Sequence, residues 1–171
     1  MIRPIQDRLI ARKLEGSRVT TSGLILMAKE KAMLGLVTSA PESSQFKADD
    51  VILFGRYSPE EFIYNKTQYF TIKEDEILAT SDDNLQKVIP VRSYVLVERD
   101  PDVGMVGNVF IPETSREKAQ RGTVMAIGGD VGLVKVGDSI MYGLYSHYEL
   151  KTDLDLLIIK EDDMHMVVED V

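Results

Sequence analysis

Val88-Ile89-Pro90-Val91-Arg92-Ser93-Tyr94-Val95-Leu96-Val97-Glu98-Arg99 repeats the opening of its own chain, Ile2-Arg3-Pro4-Ile5-Gln6-Asp7-Arg8-Leu9-Ile10-Ala11-Arg12-Lys13. The prolines coincide, and so do the apolar positions behind them. Further pairs follow in the same order. Gly35–Ala40 (GLVTSA) matches Gly122–Ile127 (GTVMAI) loosely, and Asp50–Ser58 (DVILFGRYS) matches Asp138–Ser146 (DSIMYGLYS) well. Lys73–Ile77 (KEDEI) matches Lys160–Met164 (KEDDM), and the offset stays between 86 and 88 residues throughout. One such match could be chance; an ordered series at nearly one offset marks a tandem duplication, which has to be recognised before any fold is assigned. The copies are read as residues 1–82 and 86–171, joined by the polar stretch Ser81–Lys87 with no apolar pattern.

Both copies read as β. Arg8–Arg12, Val51–Phe54, Gln68–Ile72, Tyr94–Glu98, Gly122–Ile127 and Leu154–Ile159 are short apolar runs with β-branched content. Gly, Pro, Asn and Asp punctuate them at a spacing typical of a small barrel or sandwich. Pro112–Gln120 is the best helix candidate and is short; Pro59–Phe62 reads as a turn. A copy of roughly 80–85 residues is near the size at which a domain folds alone only marginally, so docking of the copies or oligomerisation is expected.

Composition narrows the function classes. Apolar residues make up 44% and charged residues 28% of the 171, as in an ordinary folded soluble protein. A net charge of −8 and the lack of a basic stripe argue against a nucleic-acid partner. No apolar run is long enough for a membrane span, and the N-terminal residues lack a leader's apolar core. The chain has no cysteine, so disulfide and thiolate chemistry are excluded and a reducing compartment is permitted; the compartment expected is the cytoplasm. His147 and His165 belong to no evident carboxylate cluster, and no metal site is expected. Dinucleotide, phosphate-loop and nucleophile-elbow motifs are all missing, so an enzyme is not expected.

These residues resemble the co-chaperonins, the ten-kilodalton GroES-like lids of chaperonins. Ile2-Arg3-Pro4-Ile5-Gln6-Asp7-Arg8 is similar to the family's opening I-R-P-L-x-D-R. In the second copy Asn108–Glu113 followed by Arg121–Gly128, and then Val134-Lys135-Val136-Gly137-Asp138, resemble the family's G-I-x-L-P-E, R-G-x-V-x-A-V-G and V-K-V-G-D segments. Glu74–Ala79 resembles its closing strand. The likeness covers nearly the whole chain, twice. It implies an all-β fold of two tandem GroES-like, partly open β-barrels, each with a long mobile loop near its start. It implies a homo-oligomeric lid that caps a GroEL-like chaperonin ring over an unfolded client, with no cofactor of its own, since the partner chaperonin binds and hydrolyses ATP. In a phage-encoded relative the compartment would be the host cytoplasm.

The family's loops carry an apolar triplet that docks on the chaperonin. Here the triplet aligns with Leu24-Ile25-Leu26 and with Val109-Phe110-Ile111. The alternative for Leu24–Leu26 is an ordinary core strand. Three buried apolar side chains could contribute roughly 1.5–3 kcal/mol each, and ordering a loop takes back about 1–2 kcal/mol per residue. One loop therefore binds weakly, while a ring of loops binds with avidity. Two departures stand out. The family's roof hairpin is replaced by the short Ala40–Phe46 and Gly128–Leu133, which points to a lid open at its top, and the first loop lacks the Pro-Glu that follows Ile111 in the second. Tyr57 and Tyr145, in matching turns, either line a dome opening or pack those turns. A structural or assembly protein, such as a viral one, that keeps the barrel for oligomerisation without chaperonin binding is the alternative function. The resemblance also places Glu76–Thr80 beside Ile89–Val97, as the last strand of one domain beside the first strand of the next.

Overall fold

The computed structural model describes residues 2–14, 32–82, 86–101, 105–106, 109–110, 120–143, 147–151 and 155–169. The first copy forms β1 (Arg8–Leu14), β2 (Ala32–Ser39), β3 (Val51–Gly55), β4 (Glu60–Tyr64), β5 (Thr67–Lys73) and β6 (Ile77–Ser81). The second forms β7 (Val88–Pro90), β8 (Tyr94–Arg99), β9 (Met105–Val106), β10 (Val109–Phe110), β11 (Arg121–Ile127), β12 (Ser139–Tyr142), β13 (His147–Lys151), β14 (Asp155–Lys160) and β15 (Met164–Val168). Single 3-10 turns at Glu74–Glu76 and Glu161–Asp163 lead into β6 and β15. The helix candidate Pro112–Gln120 lies almost wholly outside the described residues.

The strand order β4-β5-β1-β2-β3-β6 recurs as β13-β14-β8-β11-β12-β15, with antiparallel pairing throughout. These are two tandem all-β domains of one topology, each built on an open sheet. Alternation explains the strands. Leu9 and Ala11 of β1, with Phe70 and Ile72 of β5, face one buried core, and Val95, Val97, Leu157 and Ile159 face its counterpart.

The duplication extends to irregularities. The β1–β2 ladder slips between Ile10 and Ala11, and the β8–β11 ladder slips between Val124 and Ala126. Gln6 and Arg92 hold the same left-handed turn, at φ 59° and 52°. Gly137, at φ 96°, has Asp49, at φ 75°, as its counterpart. Glycine reaches this region without steric cost and aspartate is among the residues that tolerate it.

The turn expected at Pro59–Phe62 is instead the start of edge strand β4, closed onto β5 by Asn65 and Lys66 at φ 48° and 64°. Two positive φ values in a two-residue loop make the I′ turn that suits hairpin twist. Glu60 and Glu61 obscured the strand in the sequence, yet charge is tolerated on an edge.

The copies meet in a third core. Leu53, Leu78 and Ala79 of the first pack with Val88, Leu96, Leu150, Leu156 and Ile158 of the second, joined by Leu34, Tyr94 and Tyr148 at its margin. This core supplies what neither small domain buries alone. Strand β7 crosses over to pair with β6, in the register Ser81↔Val88, Thr80↔Ile89 and Ala79↔Pro90, so the expected pairing of the copies is observed within one chain. The join is closed by Asp82, whose Oδ1 accepts from the backbone N–H of Gln86 at 2.8 Å and of Lys87 at 3.3 Å.

Candidate functional site

The two triplets belong to equivalent connections, β1 to β2 and β8 to β11. Leu24, Ile25, Leu26 and Ile111 lie outside the described residues. The backbone of Val109 and Phe110 is β10, which pairs with β9 as Val109↔Val106 and Phe110↔Met105. Among the described residues that ribbon hydrogen-bonds with neither large sheet.

The roots of the two connections share a plan but differ in chemistry. In the first copy Lys13, near the end of β1, pairs with Glu61 of β4, to which Gln68 also donates at 2.9 Å. Both charged side chains are over two-fifths exposed. The hydrogen bond and charge of Lys13 hold the Glu61 carboxyl below its ordinary range.

In the second copy Arg99 replaces Lys13, Glu149 replaces Glu61, Asp155 replaces Gln68 and Tyr142 replaces Phe54. The Arg99 side chain is only 1% exposed. Its Nε donates to the Tyr142 hydroxyl at 3.3 Å, Nη1 to Asp155 Oδ2 at 3.3 Å and Nη2 to Glu149 Oε1 at 3.2 Å. Burial pulls the guanidinium pKa down, but the Tyr142 hydroxyl and the two carboxylates outweigh it and the net shift is upward. The Tyr142 hydroxyl is pushed up by burial against the opposing pull of Arg99.

His147 Nε2 lies 3.2 Å from Arg99 Nη2. A guanidinium can only donate, so Nε2 accepts, and the neutral ring carries its proton on Nδ1. Nδ1 is buried and has no hydrogen-bond partner among the described residues. The sequence reading that left His147 outside any carboxylate cluster is corrected: Glu149 Oε1 is 3.9 Å from its Nε2. The connection back from β13 brings the two together, which linear spacing does not show. Among the described residues no group of three His, Cys, Asp or Glu side chains could hold a metal.

The root also explains a glycine. A Cβ on Gly122 would stand 2.5 Å from Val97 Cγ1 and 2.6 Å from the Glu98 carbonyl oxygen. The atoms nearest a Cβ on its counterpart Gly35 are ring atoms, Phe70 Cζ at 2.8 Å and Phe54 Cε1 at 2.9 Å.

Tyr57 is 82% exposed, with the Arg56 guanidinium carbon 5.7 Å from its ring centroid. The reading that it packs its turn is corrected for Tyr57, whose ring stands in solvent; Tyr145 lies outside the described residues.

A second site lies where the copies meet. Arg92, just behind β7, reaches across to the first copy's 3-10 turn. Nη1 donates to the Glu74 carbonyl at 2.8 Å, and Nη2 to the carbonyls of Asp75 at 2.8 Å and Ile77 at 2.6 Å. The planar guanidinium satisfies three carbonyls at once, which a single amide cannot. Sequence reading missed this residue, though one signal was available: Arg92 stands where the otherwise matching first copy has Gln6.

Comparison with known proteins agrees with the repeat. The family model described as "Chaperonin 10 Kd subunit" matches residues 1–81 and again residues 87–168. A protein named co-chaperonin GroES from Pelobacter propionicus is 40% identical over 94 residues, covering 48% of this chain and 99% of that relative. The co-chaperonin GroES of Trichlorobacter lovleyi is 39% identical over 94 residues, 48% of this chain and 98% of its own length. That of Thermodesulfovibrio yellowstonii is 35% identical over 91 residues, again 48% and 98%. Among the described residues no helix is long and apolar enough to cross a membrane. Two family matches in tandem, on two sheets of one topology, make this chain a member of the chaperonin 10 Kd subunit family that carries the family's domain twice.

Proposed function

We propose that this chain is a co-chaperonin whose paired domains assemble into an oligomeric lid, docking on an ATP-loaded chaperonin ring and closing it over a folding client in the cytoplasm. The observation that carries the reading is the doubled family match on two sheets of the same strand order. Relatives named co-chaperonin GroES align over nearly their whole length with about half of this chain, and the family model matches both copies. The β6–β7 pairing supports the assembly step, because it joins two domains edge to edge with strand hydrogen bonds. Docking falls to Leu24-Ile25-Leu26 and Val109-Phe110-Ile111, which leave the sheets at equivalent roots. The second root is the more tightly held, around buried Arg99, and a preorganised root lowers the ordering cost of the loop it carries.

The test is capture by a nucleotide-loaded chaperonin. Replacing Val109, Phe110 and Ile111 together by Ser should abolish capture while the lid assembly, measured by light scattering, stays intact. The same change at Leu24, Ile25 and Leu26 should weaken capture less. Capture that persists with both triplets replaced overturns the docking role.

A further inference from the structure

The Arg99 cluster holds a titratable group that the docking proposed above does not use. The His147 side chain is 1% exposed, and its Nδ1 has no hydrogen-bond partner among the described residues. Its Nε2 stands 3.2 Å from Arg99 Nη2 and 3.9 Å from Glu149 Oε1, and its ring meets the Tyr142 ring edge-on at 5.5 Å. Among the described residues the ionisable groups of the cluster are Arg99 of β8, Tyr142 of β12, Glu149 of its own strand β13 and Asp155 of β14. Asp100, near enough to act on the Tyr142 hydroxyl, pairs with Arg121 of β11 at 3.6 Å. Strand β2 of the first copy packs against β13 and carries no ionisable side chain.

A neutral imidazole accepts from Arg99; a protonated one cannot, because both of its nitrogens then donate. The guanidinium at 3.2 Å also only donates, so one of the two groups must turn away. An acceptor is close by in Glu149 Oε1, which Arg99 Nη2 holds while the ring is neutral. Protonation leaves two cations and two carboxylates in the cluster, so the added charge is matched and Arg99 keeps Asp155 and the Tyr142 hydroxyl. Arg99 is the last residue of β8, where the connection carrying Val109-Phe110-Ile111 begins. Both ends of that connection are tied beside it: Asp100 N–H donates to the Arg121 carbonyl at 2.9 Å and Tyr142 N–H to the Gln120 carbonyl at 3.1 Å. The first copy has no matching imidazole. Pro59 stands where the second copy has His147, and its Lys13–Glu61 pair is solvated.

We infer that protonation of His147 moves Glu149 from Arg99 to the imidazolium and loosens the root of the second connection while the first root is unchanged. Acidification then weakens docking through Val109-Phe110-Ile111 and spares docking through Leu24-Ile25-Leu26. The effect on docking rests on the function proposed above; the exchange of partners does not.

The experiment is a nuclear magnetic resonance titration of the full chain from about pH 8 to about pH 5.5, the range in which imidazoles change charge. The chain has two histidines, so the His147 signals are separable from those of exposed His165. The Arg99 guanidinium and Glu149 carboxyl signals should shift with the His147 midpoint. Amide protection at Asp100 and Tyr142 should fall about tenfold, as expected for one lost charge-assisted hydrogen bond, while protection in β1 and β2 holds. His147→Gln offers Arg99 an acceptor that takes up no proton and should abolish these responses. A His147 that titrates without moving the Arg99 signals overturns the inference, as does one that stays neutral over the whole range; wild type alone decides this if the variant does not fold. A folded His147→Gln chain that keeps the wild-type response overturns it too. Capture by a nucleotide-loaded chaperonin is then measured on chains with Leu24, Ile25 and Leu26 replaced by Ser. It should weaken with acid in step with His147 and lose that dependence on His147→Gln; capture independent of pH overturns the effect on docking. Linked titration with no capture at any pH would instead sink the function proposed above and leave the exchange of partners standing.

Discussion

Removing both carboxylates around Arg99, by Glu149→Gln with Asp155→Asn, tests the root of the second connection. The Arg99 side chain is 1% exposed, so the lost charges cannot be replaced by water without opening the sheet. Stranding a buried charge costs about 3–5 kcal/mol. Glu149 is 20% and Asp155 53% exposed, and the Tyr142 hydroxyl still accepts from Nε, so the low end applies, about 3 kcal/mol. For a chain of this length each kcal/mol shifts the melting temperature by about 2–4 °C, giving a fall of about 6–12 °C. The control is the same position in the other copy. Glu61→Gln removes the partner of Lys13, but that pair is solvated, and its melting point should match wild type. Differential scanning calorimetry at neutral pH and moderate salt reads both. A double variant that melts within about 2 °C of wild type refutes the reasoning. So does a Glu61→Gln variant that falls as far.

Two further outcomes follow from packing and ionisation. Gly122→Ala should cost about 2–3 kcal/mol in denaturant melts, because the new methyl meets the Glu98 carbonyl oxygen of the backbone, whereas Gly35→Ala should cost about 1 kcal/mol, because two phenyl rings can tilt aside. Equal costs would show that the backbone at Gly122 yields as readily as the rings. Tyr94 and Tyr142 both have hydroxyl pKa values raised above 10.0, chiefly by burial. A raised folded-state value means their stabilising contribution is complete below the unfolded pKa and is lost as pH rises through the folded one. Stability should therefore fall on the alkaline side of pH 10.0, with two phenolates appearing late in the ultraviolet titration, and Tyr142→Phe should remove one of them.

The amount of fold legible in the sequence follows from the physics of each signal. The repeat and its short apolar runs with β-branched content located β1, β3, β5, β8, β11 and β14, because a short run of consecutive apolar residues bounded by turn signals marks a buried strand. Strand β4 was not legible: Glu60 and Glu61 break the apolar run, and only pairing with β5 shows that an edge can carry them. The join could be read because β6 and β7 are close in sequence. The Arg99 cluster could not, since its partners lie 43 to 56 residues away and meet only through sheet register. The triplets remain a reading from resemblance. Val109 and Phe110 gain a backbone pairing in the β9–β10 ribbon, and the other four residues lie outside the described part of the chain.

The comparison between copies also bears on why two domains share one chain. In a closed homo-oligomer of single domains, one protomer surface meets another of the same sequence at every contact, so a change that tightens one join tightens all. Duplication removes that constraint. Backbone features shared by the copies have barely diverged: Glu74 N–H donates to the Asp7 carbonyl at 2.8 Å and Glu161 N–H to the Ser93 carbonyl at 2.8 Å. The differences lie instead at joins and roots, in Gln6 against Arg92, Arg8 against Tyr94 and Lys13 against Arg99. Among the described residues β15 pairs with β12 alone, and an exposed strand edge is an aggregation hazard. Exposed His165 and the charged Lys160–Asp163 turn beside it limit unspecific pairing there.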